Sequence, residues 1–385
     1  MVITEGRQNM KKALLFGAVA VILLGGKVQA TQLPDATATQ PDTTVTTQQT
    51  EQVDANAVMT KAEQQMNSMT VYGMEMWMNG QMMMDIALDM NSKVVYANVT
   101  VSGDTMTIWG DGNTKMAYAY DSTVGRYYFT PDTADFSKLE SQKNEAMQTV
   151  KTDPSFTYSY VGKVNKTVKG QTTECYQIHA SVTQNETTST GEYYISTTDY
   201  RLISMDISLY SKAIVGSTGN MTMQFNLYYP QSLAIPADVI AAATISPDYT
   251  VDRGKVTYGV KYVKGQPVLS VKSAVKAKNK VKIEDSITIC GKEYPVYEIG
   301  EYAFSGNKKI KSVSIGKNVQ VIGKRAFYRC KKLSSINIHS KNIKKIGTYA
   351  FKANNGTVKV KVPAKKLAKY KKVFAKSKKF IELTK

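Results

Sequence analysis

Ile299-Gly-Glu-Tyr-Ala-Phe304, Ile322-Gly-Lys-Arg-Ala-Phe327 and Ile346-Gly-Thr-Tyr-Ala-Phe351 are three copies of one hexapeptide, begun at intervals of 23 and 24 residues. A period that short suits a solenoid with one strand per coil and excludes a propeller blade or a helical hairpin. The similarity runs on past the hexapeptide. Ile310, Leu333 and Val358 follow at matching distances, and the alternating pairs Val313/Ile315, Ile336/Ile338 and Val360/Val362 then fall in register. Alternation predicts a short strand with one apolar face, and repetition predicts a parallel ladder. Gly300, Gly323 and Gly347 are expected at a sharp corner. Ala303, Ala326 and Ala350 should turn inward with Phe304, Phe327 and Phe351 to fill the coils. The repeats then span 299–321, 322–345 and 346–364. Such a stack supplies surface and no preset chemistry.

This pattern, with a basic turn after each Phe and a short Val/Ile strand, resembles the BspA-type leucine-rich repeat of bacterial surface proteins. The resemblance covers a quarter to a third of the chain. It implies a short solenoid acting in adhesion, in matrix or glycan binding, or in host-cell contact, and it carries over no catalytic residue. Cys330 stands where that family often sets a small buried cysteine; Asn307 takes the place in the first copy, and the third has no clear equivalent. From about residue 281, Ile287-Thr-Ile289-Cys-Gly-Lys-Glu-Tyr294 is similar to the usual lead-in. Val362-Pro-Ala-Lys-Lys-Leu-Ala-Lys-Tyr-Lys-Lys-Val-Phe374 resembles the helical cap of such arrays.

At the other end, Met10-Lys-Lys12 precedes the apolar run Ala13–Leu24, and Val28-Gln-Ala30 supplies small residues for cleavage before Thr31. Residues 1–30 therefore read as a signal peptide, with Met10 as the start, since the run falls short of the roughly 20 residues a span needs. Residues 31–53 are Thr, Gln, Asp and Ala with almost no large apolar side chain, the composition of a disordered spacer. The chain is expected to be secreted and held at a cell wall without covalent anchor or transmembrane segment. Cys175, Cys290 and Cys330 are an odd set; Cys330 reads as a small buried hydrophobe, and a Cys290–Cys330 bridge is the alternative. Two histidines, His179 and His339, with no cysteine cluster leave no metal site.

Residues 54–248 read as one domain and 249–385 as another. Residues 31–250 hold 12 Lys and Arg against 23 Asp and Glu, whereas residues 251–385 hold 34 against 7, a surplus of 27 positive charges. Opposite signs imply different partners. The first domain opens on a helix, Ala55–Ser68, capped by Asp54 with Val58, Met59, Ala62 and Met66 on one face. About ten alternating strands follow, with a second helix at Asp135–Val150. The expected architecture is mainly β: an antiparallel curved sheet or half-barrel with few helices, then the repeat solenoid with its cap. Helix, meander and helix, then Gly191-Glu-Tyr-Tyr-Ile195, Tyr200-Arg-Leu-Ile-Ser-Met-Asp206 and Ile235-Pro-Ala-Asp-Val239, resemble the LolA/LppX-like lipoprotein-carrier fold. That resemblance implies a cavity for acyl chains, although the anchoring cysteine of the lipid-linked members is missing.

Twelve of the 18 methionines lie between Met59 and Met116. They suit a packed core, or a lipid cavity lined by Met76, Trp77, Met78, Met84 and Ile86. A Cu(I) site on Met74-x-Met76-x-Met78 lacks a completing His or Cys. Asp85 and Asp89 share the polar face of a strand and read as solvated. No nucleophile elbow, phosphate loop or dinucleotide fingerprint occurs, so an enzyme is not expected, nor a cofactor. The basic tail places Lys365, Lys366, Lys369, Lys371 and Lys372 around Tyr370 and Phe374. Export argues against nucleic acid, leaving a solubilising face or contact with an exterior polyanion. The function expected is cell-surface binding of a protein or an anionic glycan or wall polymer through the repeats. The alternative is extracellular carriage of a lipid by the first domain.

Overall fold

The computed structural model describes residues 52–101, 103–131, 157–184, 187–210 and 220–385. The signal peptide, most of the spacer and the helix expected at 135–150 lie outside them. The chain divides into two compact units: one runs to Ala243, and the other comprises Tyr128–Pro131 with Thr244–Lys385.

The first unit is a curved antiparallel sheet with helix α1, Ala55–Ser68, on one face. Its strands are β1 Val71–Met78, β2 Gln81–Asp89, β3 Val94–Val101, β4 Asp104–Asp111 and β5 Met116–Asp121, then β6 Arg126–Thr130, which leads into the second unit. β7 Thr157–Val168, β8 Gln171–Gln184, β9 Thr187–Ser196, β10 Leu202–Tyr210 and β11 Asn220–Tyr228 complete it, in the order β5-β4-β3-β2-β1-β11-β10-β9-β8-β7. The Asp54 carboxylate accepts from the N–H groups of Asn56 and Ala57 at 3.0 and 3.2 Å, which starts α1. Ala55, Val58 and Ala62 then bury against Ile178 of β8 and Ile195 of β9. Register puts Met74 opposite Ile86 and Leu227, and Met76 opposite Met84 and Phe225. These side chains gather with Val99, Ile108 and Met205 into an apolar cluster. The short helix α2, Ala237–Ala242, closes the unit.

The second unit opens with strand β12, Thr244–Ile245, whose parallel partners are Tyr128 and Phe129. The antiparallel strands β13 Thr250–Arg253, β14 Val256–Val263 and β15 Gln266–Ser273 lead into the array. One strand per coil proves too few. A long parallel ladder joins β16 Asn279–Ile283, β19 Ile310–Ile315, β21 Ser335–Ile338, β23 Val358–Lys361 and β24 Ile381–Thr384. A second ladder continues from β15 through β18 Lys292–Ile299, β20 Val321–Ile322 and β22 Lys345–Ile346. The hairpin strand β17, Ser286–Ile289, pairs with β18. Two-residue strands leave no alternation to read in a sequence, so the second ladder was invisible there. The lead-in β16 is a full first rung, and β24 adds a rung beyond the cap.

The hexapeptide works differently at its glycines than a corner requires. Gly300, Gly323 and Gly347 have no left-handed backbone; the positive φ values, 57°, 50° and 58°, belong to Tyr302, Arg325 and Tyr349. The glycines instead permit contact between coils. A Cβ on Gly323 would stand 2.6 Å from the Glu301 nitrogen, and one on Gly347 2.2 Å from the Lys324 nitrogen. Phe304, Phe327 and Phe351 stack behind them at ring separations of 4.9 and 5.6 Å, all fully buried. Helix α3, Leu367–Val373, ends at Phe374, which continues the same stack 6.0 Å from Phe351. Tyr370 is buried beside it; its hydroxyl donates to the Ser340 carbonyl at 2.7 Å and accepts from the Ile343 N–H at 3.1 Å. The cap is thus a piece of core with lysines on its outside.

Phe327→Ala should cost the repeat unit about 3–5 kcal/mol, because both stacked neighbours lose a partner and backbone ladders prevent collapse of the void. Gly323→Ala adds one methyl group yet should cost roughly 1–3 kcal/mol, since the obstruction is backbone that cannot rotate away. Chemical denaturation of the full chain, followed by near-ultraviolet circular dichroism, checks both; a Gly323→Ala chain as stable as wild type would show that coil contact at the glycines is not tight.

Candidate functional site

A concave, strongly charged site lies at the start of the array. The turn between β13 and β14 brings Arg253 and Lys255 to one side, and Lys278, Lys280 and Lys282 from the start of β16 form the other. Between them is a groove of about 290 Å³ floored by Val256, Ala277 and Val281. Alternation along β16 explains the arrangement: Val281 and Ile283 go inward, which turns Lys280 and Lys282 out. Asn307 fixes the segment that carries Lys278. Its buried amide donates to the carbonyls of Ala274 and Ala277 at 2.9 and 2.8 Å and accepts from the N–H groups of Lys309 and Ile310. Lys282 meets Glu284 at 2.7 Å, and that bond raises the lysine pKa; the Arg253 guanidinium reaches the Thr288 carbonyl at 3.4 Å. Only three cations of residues 251–385, Lys261, Lys282 and Lys317, stand within 4 Å of a carboxylate.

The outward face of the long ladder continues this surface. Lys280, Ser312, Ser335, Lys359 and Glu382 form one row in register, and Lys282, Ser314, Asn337, Lys361 and Thr384 the next. His339 joins the second row, with Nε2 3.0 Å from the Ser314 hydroxyl.

The hexapeptide side chains named in the sequence are core. Ile299, Ile322, Ala303, Ala326, Ala350 and the three phenylalanines are buried, and Ile346 is half-buried. Of the tail lysines, Lys365, Lys369, Lys371 and Lys372 are exposed and Lys366 is half-exposed. Helical spacing turns Lys371 to the side away from Lys369 and off the side of Lys372, so the three do not converge. The groove escaped sequence reading because its cations come from two segments without a motif.

In the first unit, Met76, Met84 and Ile86 share the apolar face, with Met74 and Met84 buried and Met76 partly so. Met78, half-buried, is paired with Met223 across the strand. Trp77 does not join them. It lies on the other face, where its indole N–H donates to Glu75. That face also corrects the reading of Asp85 and Asp89, which are buried. The Tyr228 ring lies flat across Gly73, where a Cβ would stand 2.1 Å from the ring, and its hydroxyl donates to Asp85 at 2.6 Å. Lys169, from the β7–β8 turn, bridges Asp85 at 2.8 Å and Glu75 at 3.0 Å. Burial works against the Asp89 carboxylate, yet N–H groups of Leu233, Ser92 and Asn91 outweigh it and hold its pKa below the usual range. These are structural anchors.

None of the three cysteines is joined in a disulfide; Cys290 is exposed and the others are buried. Burial pushes the Cys175 thiol up to about 11 and Cys330 to about 12, so both stay protonated and unreactive. Cys330 donates to the Phe304 carbonyl, and its N–H reaches Asn354, the counterpart missed in the third copy. Among the described residues no cluster of three His, Cys, Asp or Glu is placed to hold a metal ion, and no helix is long and apolar enough to cross a membrane.

Residues 279–384 match the family model of the BspA type leucine rich repeat region, in six copies. No curated protein matches the chain. Among solved structures, the chain is similar to a leucine rich cell surface protein from Faecalibacterium prausnitzii, with 20% identity over 31% of this chain and 38% of that one, at a TM-score of 0.25. It therefore spans less than half the length of that relative. A leucine-rich repeat protein from Bacteroides capillosus is 28% identical over 30% of this chain and 83% of its own, at a TM-score of 0.25. A LolA superfamily protein from Nitrosomonas europaea is 8% identical over 49% of this chain and 97% of its own, at a TM-score of 0.16.

Proposed function

We propose that the protein acts outside the cell as a binding protein, and that its repeat unit holds an acidic polymer, a glycan or wall component, by the groove at the start of the array. The observation that carries this is the convergence of Arg253, Lys255, Lys278, Lys280 and Lys282 on one concavity. A field of 34 cations against 7 acids draws polyanions toward the unit, and a concave site lined with one sign of charge focuses that field. The groove is favoured over the tail lysines because its charges point at a common space. No chemistry is needed for this role.

The full chain should be retained on immobilised heparin at low salt and released as ionic strength shortens the Debye length below about 8 Å. Lys278→Glu with Lys280→Glu should weaken binding by about tenfold, the order expected when surface pairs of roughly 0.5–1 kcal/mol each are lost and reversed. Retention that ignores salt, or survives the double reversal while Lys369→Glu with Lys372→Glu abolishes it, would overturn the assignment to the groove.

A second reading rests on the half-buried Met76, Met106 and Met223, which extend the apolar cluster of the first unit toward its margin. Flexible thioethers at such a margin suit an alkyl chain, so the first unit would carry a lipid. Native mass spectrometry of the secreted full chain should then show a bound acyl species; a mass equal to the polypeptide alone contradicts carriage.

A further inference from the structure

The fourth residue of each hexapeptide departs from the rest of the repeat. Tyr302, Arg325 and Tyr349 occupy it in successive coils, each with a left-handed backbone that bulky residues rarely adopt. The strained geometry is held by the coils themselves: the Tyr302 N–H donates to the Lys324 carbonyl and the Arg325 N–H to that of Thr348, both at 3.0 Å. Tyr302 and Tyr349 are thereby turned outward, while Arg325 is half-buried, its Nε covered and without a hydrogen-bond partner. Tyr302 is 43% and Tyr349 45% exposed, the two aromatic rings among the exposed large hydrophobic side chains of the described residues.

Arg325 lies between them. Its guanidinium carbon is 5.8 Å from the Tyr302 ring centre and 5.9 Å from that of Tyr349, and Nη1 donates to the Tyr302 hydroxyl at 3.2 Å. Tyr328 approaches the same guanidinium at 5.4 Å, and the Lys352 ammonium stands 4.4 Å over Tyr349. No carboxylate pairs with Arg325 among the described residues. Coils repeat at about 4.8 Å, so the two tyrosines are set about 10 Å apart along the array with a cation midway.

We infer that this row binds the sugar rings of an acidic glycan, with pyranose faces against Tyr302 and Tyr349 and a carboxylate or sulfate on Arg325 and Lys352. Tyrosine offers a flat apolar face with a polar tip, and the arginine fork pairs oxyanions bidentately. Glu301, Lys324 and Thr348 alongside are exposed and polar, so the row lacks the apolar centre that a docked protein would bury. The inference rests on the polyanion reading above and adds the requirement for rings.

The test compares two polymers with one carboxylate per unit, polygalacturonate, which has pyranose rings, and polyglutamate, which has none. The wild-type full chain should bind polygalacturonate at least about tenfold more tightly. Tyr302→Asn with Tyr349→Asn keeps residues that tolerate the left-handed backbone; this variant should lose that preference while its polyglutamate affinity changes less than about twofold. Equal wild-type affinity for the two polymers, or a preference that survives the double substitution, overturns the row and leaves the groove standing. Binding to neither polymer overturns the polyanion reading and the row together.

Discussion

Everything in the repeat unit depends on how closely one coil's backbone can approach the next at Gly300, Gly323 and Gly347. A side chain there would meet main-chain atoms at 2.2–2.6 Å. Removing it lets coils stack at strand spacing along both ladders and lets amide hydrogen bonds cross from Tyr302, Phe304, Arg325 and Phe327 to the coil above. The phenylalanine stack follows from the same approach, because rings 4.9–6.0 Å apart fit only if their backbones are that close. The left-handed turn at the fourth hexapeptide position then aims Tyr302 and Tyr349 at solvent, with Arg325 half-buried between them. One constraint fixes the core and the spacing of whatever the surface presents.

That spacing has an electrostatic consequence. Like charges directly opposite on neighbouring strands repel, and this unit carries 34 cations. Both outward rows of the long ladder separate their lysines by two small polar residues: Ser312 and Ser335 in one, Ser314 and Asn337 in the other. At the fourth hexapeptide position, Arg325 is flanked by tyrosines. The repulsion is relieved within each column without reducing the total. Cations from two segments still converge at the groove of Arg253, Lys255, Lys278 and Lys280.

Legibility in the sequence tracked the range of the forces. Strict 23- and 24-residue periodicity exposed the array, its long ladder and its buried Ala and Phe, because each follows from local alternation. The alternating strands and the Asp54 cap likewise announced the first unit. The short ladder and β24 were not legible, the first being too short for a pattern and the second following a lysine-rich cap. Asp85 was misread because alternation assigns a residue to a face without saying whether that face is covered. The covering group, Lys169, lies 84 residues away. The left-handed backbone of Tyr302 and Tyr349 was hidden because neither is the glycine that usually signals it. The groove was hidden because residues 253–255 and 278–282 meet only once both sheets have formed.

Amine reactivity tests the location of binding most directly. Each lysine of the full chain is acetylated with and without an acidic polysaccharide, and the rates are read by mass spectrometry. Lys255, Lys278, Lys280 and Lys282 should be protected several-fold more than Lys365, Lys369, Lys371 and Lys372. Protection confined to those tail lysines, or spread evenly over the whole unit, would contradict a site at the start of the array.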